Sequence, residues 1–210
     1  MHYVLANSDC ISGIQNSFDN QHTRAYFGMD YFDFENSLPP TEYTGRIIDI
    51  KVHPDSTKYP VSLLRVTDYS GLAGISMNIG AMPICMPDAG ECHNTPLEDQ
   101  GLCQKNSWLF GQKEGARLVD RNKMEGFSHY VNASIQESDS PFFVKTELDH
   151  NLAMLGIQCQ HTDAGEFLTC DGLNGEGKAF SYLYGVGKRC AQDGSEKFTR
   201  IGVGWNLFSS

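Results

Sequence analysis

The strongest constraint on this chain is a two-residue alternation of polar and apolar side chains, which recurs in short runs cut apart by turn residues. Ser128 to Gln136 shows it most clearly. Ser128, Tyr130, Asn132, Ser134 and Gln136 fall on one face, with His129, Val131, Ala133 and Ile135 on the other. Successive side chains of a strand point to opposite sides, so a period of two marks a strand with one face buried. Arg46 to Val52, Val61 to Val66, Ile75 to Ile79 and Phe142 to Leu148 are further strand candidates, each closed by Gly, Asp or Pro nearby. Tyr26 to Phe34 is an aromatic-rich candidate ended by Pro39 and Pro40. Near the C-terminus, Ala179 to Arg189 and Lys197 to Phe208 predict a hairpin. Phe180, Tyr182, Tyr184, Val186 and Lys188 would share one face of its first strand. Thr199, Ile201, Val203, Trp205 and Leu207 would share one face of the second.

Helical signals are sparse. Thr95, Pro96 and Glu98 have the layout of a one-turn helix start, and Ala116 to Met124 is a second short candidate. Many short strands and 21 glycines predict an all-β fold. The expectation is an antiparallel β-sandwich, jelly-roll-like, with one or two short helical turns and long cysteine-bearing loops. A single domain over residues 1–210 fits the length.

Composition narrows the function classes. With 16 basic and 26 acidic residues the net charge is −10, which repels phosphate backbones; nucleic acid is not an expected partner. No apolar run is long enough for a membrane-spanning helix, and membrane insertion is not expected. Met1 to Cys10 does not read as an intact signal peptide. Seven cysteines, several in Gly- and Asp-rich loops, predict disulfides and so an extracellular or periplasmic location with a leader already removed. The first pairings to expect are Cys85–Cys92, Cys159–Cys170, and Cys10 or Cys103 with Cys190. The spacings among Cys85, Cys92, His93 and Cys103 do not match close-paired zinc ligands, and no metal or cofactor is expected.

No nucleophile elbow, phosphate loop or dinucleotide fingerprint occurs. The polar row Tyr130, Asn132, Ser134 and Gln136 offers donors and acceptors at strand spacing, as sugar hydroxyls require. Tyr182, Tyr184 and Trp205 are amphipathic rings suited to stacking on sugars, and Lys188 adds a charge beside them. The leading expectation is an extracellular binding module for a glycan or cell-surface ligand. One alternative is a polysaccharide lyase, with Tyr130 or His129 as base and acid and Arg189 or Lys188 neutralising a uronate carboxylate. Another is a surface-assembly or fibre-tip protein. The sequon Asn132-Ala133-Ser134 competes with the first reading, because a glycan there would occupy the same polar face.

Overall fold

A computed structural model describes residues 2–15, 23–28, 31–33, 44–67, 84, 86, 103–110, 125–136, 138, 140–148, 150–154, 156, 158–159, 165–173 and 176–202. Two short helices are seen, α1 (Ser8–Gln15) and α2 (His150–Met154). Twelve strands account for most of the rest, and every pairing among them is antiparallel. The all-β class and its antiparallel character are as the alternation predicts.

The smaller sheet has the order β1-β5-β4-β2, from β1 (His2–Asn7), β5 (Val61–Val66), β4 (Thr44–Val52) and β2 (Arg24–Tyr26). Helix α1 follows β1 directly. Asn7 caps it: the Asn7 Oδ1 accepts the Asp9 N–H at 3.0 Å, satisfying one of the orphan donors of the first turn. Ile11 of α1 then packs on Ile47 and Leu64, with Val4, Ala6, Ala25 and Ile50 around them. The alternation in β4 is blurred at Ile47 for a physical reason. The register against β5 shifts between Ile47 and Asp49, so an extra residue bulges out there.

The larger sheet has the order β3-β7-β6-β10-β11-β12-β9-β8. Its members are β3 (Tyr31–Asp33), β7 (Glu125–Ala133), β6 (Cys103–Phe110), β10 (Phe167–Leu173), β11 (Ala179–Cys190), β12 (Glu196–Arg200), β9 (Phe143–Thr146) and β8 (Ile135–Gln136). Among the described residues the strands divide into antiparallel sheets of four and eight, which shows the all-β antiparallel class without the jelly-roll arrangement. The predicted run Ser128 to Gln136 is two strands, because Ser134 interrupts it. The predicted terminal hairpin forms between β11 and β12. Ile75 to Ile79, both predicted helical turns and the Cys85–Cys92 pairing lie outside the described residues.

One face of the larger sheet holds a core of Val144, Leu168, Tyr182, Tyr184 and Phe198, with Cys103 and Cys170. Gly185 is needed in that core: a Cβ there would sit 2.8 Å from the Phe198 Cβ. The other face is also buried at its centre, where Leu183, Val186 and Ile201 pack with Phe167 and with Leu5 of β1. That contact joins the two sheets. Inside the first core lies a buried ion pair, Lys105 with Glu196; Lys105 Nζ also donates to the Glu147 carbonyl at 2.7 Å. The Thr146 hydroxyl donates to the same Glu196 carboxylate at 3.3 Å. An ammonium and a carboxylate taken out of water need such additional partners to offset their desolvation.

Among the described residues there are two disulfides, and both correct the expected pairings. Cys103 bonds Cys170 across β6 and β10, where the two are register partners. Cys159 bonds Cys190 at the end of β11. Cys190 therefore pairs with neither Cys10 nor Cys103, and Cys159 does not pair with Cys170. Spacing along the chain does not identify the partners, because sheet order, which sets β6 beside β10, is a long-range property.

Two outcomes follow. Non-reducing peptide mapping is expected to recover the Cys103–Cys170 and Cys159–Cys190 links. Replacing either pair by alanine is expected to lower unfolding stability by about 2–4 kcal/mol in urea titrations, since each bridge closes a long loop of the unfolded chain. Tyr182 offers a pH test. Burial, and then the neighbouring Tyr184, raises its phenol to about 12. Its hydroxyl has no hydrogen-bond partner among the described residues. The unfolded tyrosine ionises near pH ~10. The unfolded chain then loses this proton first, so stability present below about pH 10 is lost as pH rises toward 12. Ultraviolet phenolate titration should show a component ionising near 12, and Tyr182→Phe should reduce that component by one tyrosine.

Candidate functional site

Binding and catalytic sites occur preferentially where two structural units meet. In this chain that place is the seam where β1 and α1 of the smaller sheet abut the C-terminal half of β11. It is built by a bulge. The register of β11 against β12 shifts between Val186 and Lys188, and Gly187 between them has φ 70°. A side chain at 187 would be strained in that conformation, and its Cβ would lie 2.7 Å from the Asn7 Cβ. Glycine thus lets β11 press directly on the residue that caps α1. The Gly187 N–H donates to the Glu166 carbonyl at 2.9 Å, holding the bulge to the segment before β10.

The bulge sends the next two side chains to different places. Lys188 is buried, donating to the Cys159 carbonyl at 2.8 Å and to the Glu166 carboxylate at 3.4 Å. Arg189 turns outward and crosses the seam. Its Nε and Nη2 donate to Asp9 Oδ2 and Oδ1 at 2.8 and 3.0 Å, a two-point clamp between β11 and α1. The two side chains are 37% and 52% exposed, so this pair faces solvent while Lys188–Glu166 lies beneath. On the α1 side, the Ser8 backbone N–H donates to the Pro60 carbonyl at 2.8 Å, and the Ser8 and Ser62 hydroxyls bond each other at 2.9 Å. Buried His53 accepts the Asp55 N–H on Nδ1 at 3.0 Å and packs on Tyr59 with ring centroids 4.8 Å apart.

The seam therefore presents a guanidinium, two carboxylates, an ammonium, an amide and a hydroxyl pair, each held by a fixed partner. Acyl transfer requires a hydroxyl or thiol within hydrogen-bond reach of a base. The hydroxyls of Ser8 and Ser62 bond each other, and neither is paired with a base among the described residues. Among the described residues no group of three or more His, Cys, Asp or Glu side chains is placed to hold a metal ion.

The residues singled out from the sequence are scattered by the fold. Tyr182 and Tyr184 are 3% and 7% exposed and pack edge to face in the core, so neither ring has a surface to offer a ligand. Lys188 is buried in its ion pair, and Arg189 is committed to Asp9. Tyr130, at 60% exposed, and the exposed Asn132 and Ser134 do form a surface row. The row ends at Gln136, which is half-buried and donates to the Glu147 carboxylate at 2.7 Å. Strand β7, carrying Tyr130, lies three strands from β11, carrying Arg189. Arg189 is turned across the seam to Asp9, and no hydrogen bond or ion pair among the described residues links it to Tyr130. The side chain of His129 and the whole of Trp205 lie outside the described residues. Asp9 and Asn7, which build the seam, carried no sequence signal beyond an Asn-Ser-Asp run just before a short helix, a capping pattern.

No protein-family model matches the chain, and no curated protein matches it. Among solved structures, the chain is similar to a double mutant of human heparin binding protein, with 17% identity and a TM-score of 0.52 over 99% of this chain and 80% of that one. That protein has a serine-protease fold, and the likeness is one of fold.

Removing one side of each pair should separate the two layers of the seam. Lys188→Met leaves a buried carboxylate without its ammonium and is expected to cost about 3–5 kcal/mol. Arg189→Ala breaks a solvent-facing pair and is expected to cost about 1 kcal/mol or less. Urea unfolding of the two variants side by side checks the order; equal costs would show that the two pairs do not lie at different depths.

Proposed function

We propose that this chain is an extracellular binding module on a two-sheet, serine-protease-like scaffold, and that it does not hydrolyse its ligand. The observation that carries the reading is the seam, where a scaffold of two β units would place a catalytic centre. It is filled by the Asp9–Arg189 clamp over the Lys188–Glu166 pair, with Asn7 pressed against Gly187. Among the described residues the charged groups of the seam are paired with one another, which supports a surface for recognition over a centre for hydrolysis. The two disulfides support an oxidising compartment outside the cytosol.

Charge bears on the ligand. The structural neighbour is named for binding heparin, a polyanion. A net charge of −10 opposes long-range attraction of a sulfated polyanion and favours a neutral or cationic cell-surface ligand. The exposed rim of the clamp, shared by both sheets, is the surface such a ligand would cover.

The test has two arms. Purified protein is incubated with a serine-directed fluorophosphonate probe and with an unfolded protein substrate; neither labelling nor cleavage is expected. It is then applied to a panel of cultured cells with and without enzymatic removal of heparan sulfate. Binding that persists after removal, and that Arg189→Glu weakens, supports the reading. Covalent labelling, substrate cleavage, or binding lost together with the sulfated chains overturns it.

A further inference from the structure

We infer that Asn132 is an N-glycosylation site, and that its glycan shields an open edge of the larger sheet. Three observations converge on this residue. Asn132-Ala133-Ser134 is the one Asn-x-Ser/Thr sequon in the 210 residues, and both of its polar members are exposed. Of the described strands, β3 covers β7 only at Glu125, Gly126 and Phe127. Among the described strands, β7 from Ser128 to Ala133 pairs with β6 and with no other. An edge of that kind offers unpaired backbone groups to any other strand, and proteins blunt such edges with bulk or charge. The third observation is Tyr130. It sits two residues before Asn132, on the same side of the strand and about 7 Å away, with 60% of its surface exposed. An aromatic ring so exposed has an apolar face free to pack against the first sugar of a glycan on Asn132. The two disulfides support an oxidising compartment, a condition that the secretory lumen, where the modification is made, meets.

The co-reactant is an oligosaccharide linked to a lipid pyrophosphate. A bond forms from Asn132 Nδ2 to the anomeric carbon of the first sugar. The bond from that carbon to the phosphate oxygen breaks, the lipid pyrophosphate departs with the electron pair, and the amide loses one proton. The product removes the row Tyr130, Asn132 and Ser134 from the surfaces a separate ligand can use. It leaves the Asp9–Arg189 rim open, so this inference does not depend on the binding reading.

The full chain is produced with a secretion leader in eukaryotic cells, its disulfides are mapped to confirm folding, and it is treated with peptide N-glycosidase in heavy-oxygen water. The expected result is a heavy-oxygen aspartate at position 132 in most molecules. Asn132→Gln and Ser134→Ala should each remove the glycan, the second while retaining the asparagine. Glycosylated Tyr130→Ala should lose the rise in thermal midpoint that the glycan gives the parent. Enzymatically deglycosylated protein should show more self-association by light scattering. An unmodified Asn132 in secreted, correctly bridged protein overturns the proposal. A modified Asn132 whose removal changes neither midpoint nor association overturns the shielding role and leaves only the modification.

Discussion

The packing of strand β11 on both of its faces is the constraint on which the rest of this structure depends. Tyr182 and Tyr184 look into the core of the larger sheet, while Leu183 and Val186 look toward Leu5 of the smaller one. A strand buried on both sides cannot move without disturbing two cores. Its irregularities are therefore held in place. The register against β10 slips where Tyr184 and Gly185 meet Leu168 and Thr169, and the register against β12 slips at Gly187. Each bulge re-aims the side chains that follow it. The second puts Lys188 in the interior and Arg189 across the seam, so a single glycine with positive φ determines which charge is buried and which is shared between the sheets.

Both buried ammonium groups are tied to carboxylates far away in sequence. Lys105 meets Glu196 and Lys188 meets Glu166. Such pairs contribute little net stability over apolar packing, but an alternative register would leave a charge buried alone, at a cost of several kcal/mol. Their value here is specificity. Lys105 on β6 and Glu196 on β12 stand on opposite sides of β10 and β11, and their meeting requires that sheet to curl toward itself. Lys188 and Glu166 fix the segment before β10 to the end of β11, beside the Cys159–Cys190 bridge. The covalent and ionic ties thus act on the same stretch of chain.

Local alternation made individual strands legible. Val61 to Val66 is a strand over those residues, and the β11–β12 hairpin was readable from its two runs. The limits were set by what alternation does not encode. Tyr182, Tyr184, Val186 and Lys188 look like one face at period two, but the bulges break the phase, and only the first two share a core. Strand β1 and helix α1 were not anticipated, because Val4, Leu5 and Ala6 are apolar in succession, as befits a strand touching two layers. Sheet order, disulfide partners and the seam all depend on pairings many residues apart, so Asp9 could not be connected to Arg189 from spacing alone.

The same long-range placement brings charged groups of both sheets together at the seam. A cleft between two β units is costly to leave open, since its walls carry backbone and charged groups that need partners. One solution is to commit those groups to a substrate. The other is to let them pair across the cleft, which yields a rigid surface in place of a reactive pocket. Asp9 and Arg189 show the second solution, with more than a third of each side chain still reaching solvent. A half-desolvated charge pair of this kind discriminates among partners by charge and contour more than it adds affinity. On the binding reading proposed above, the bonds that pair these groups across the seam are also the ones that hold the recognising surface in shape.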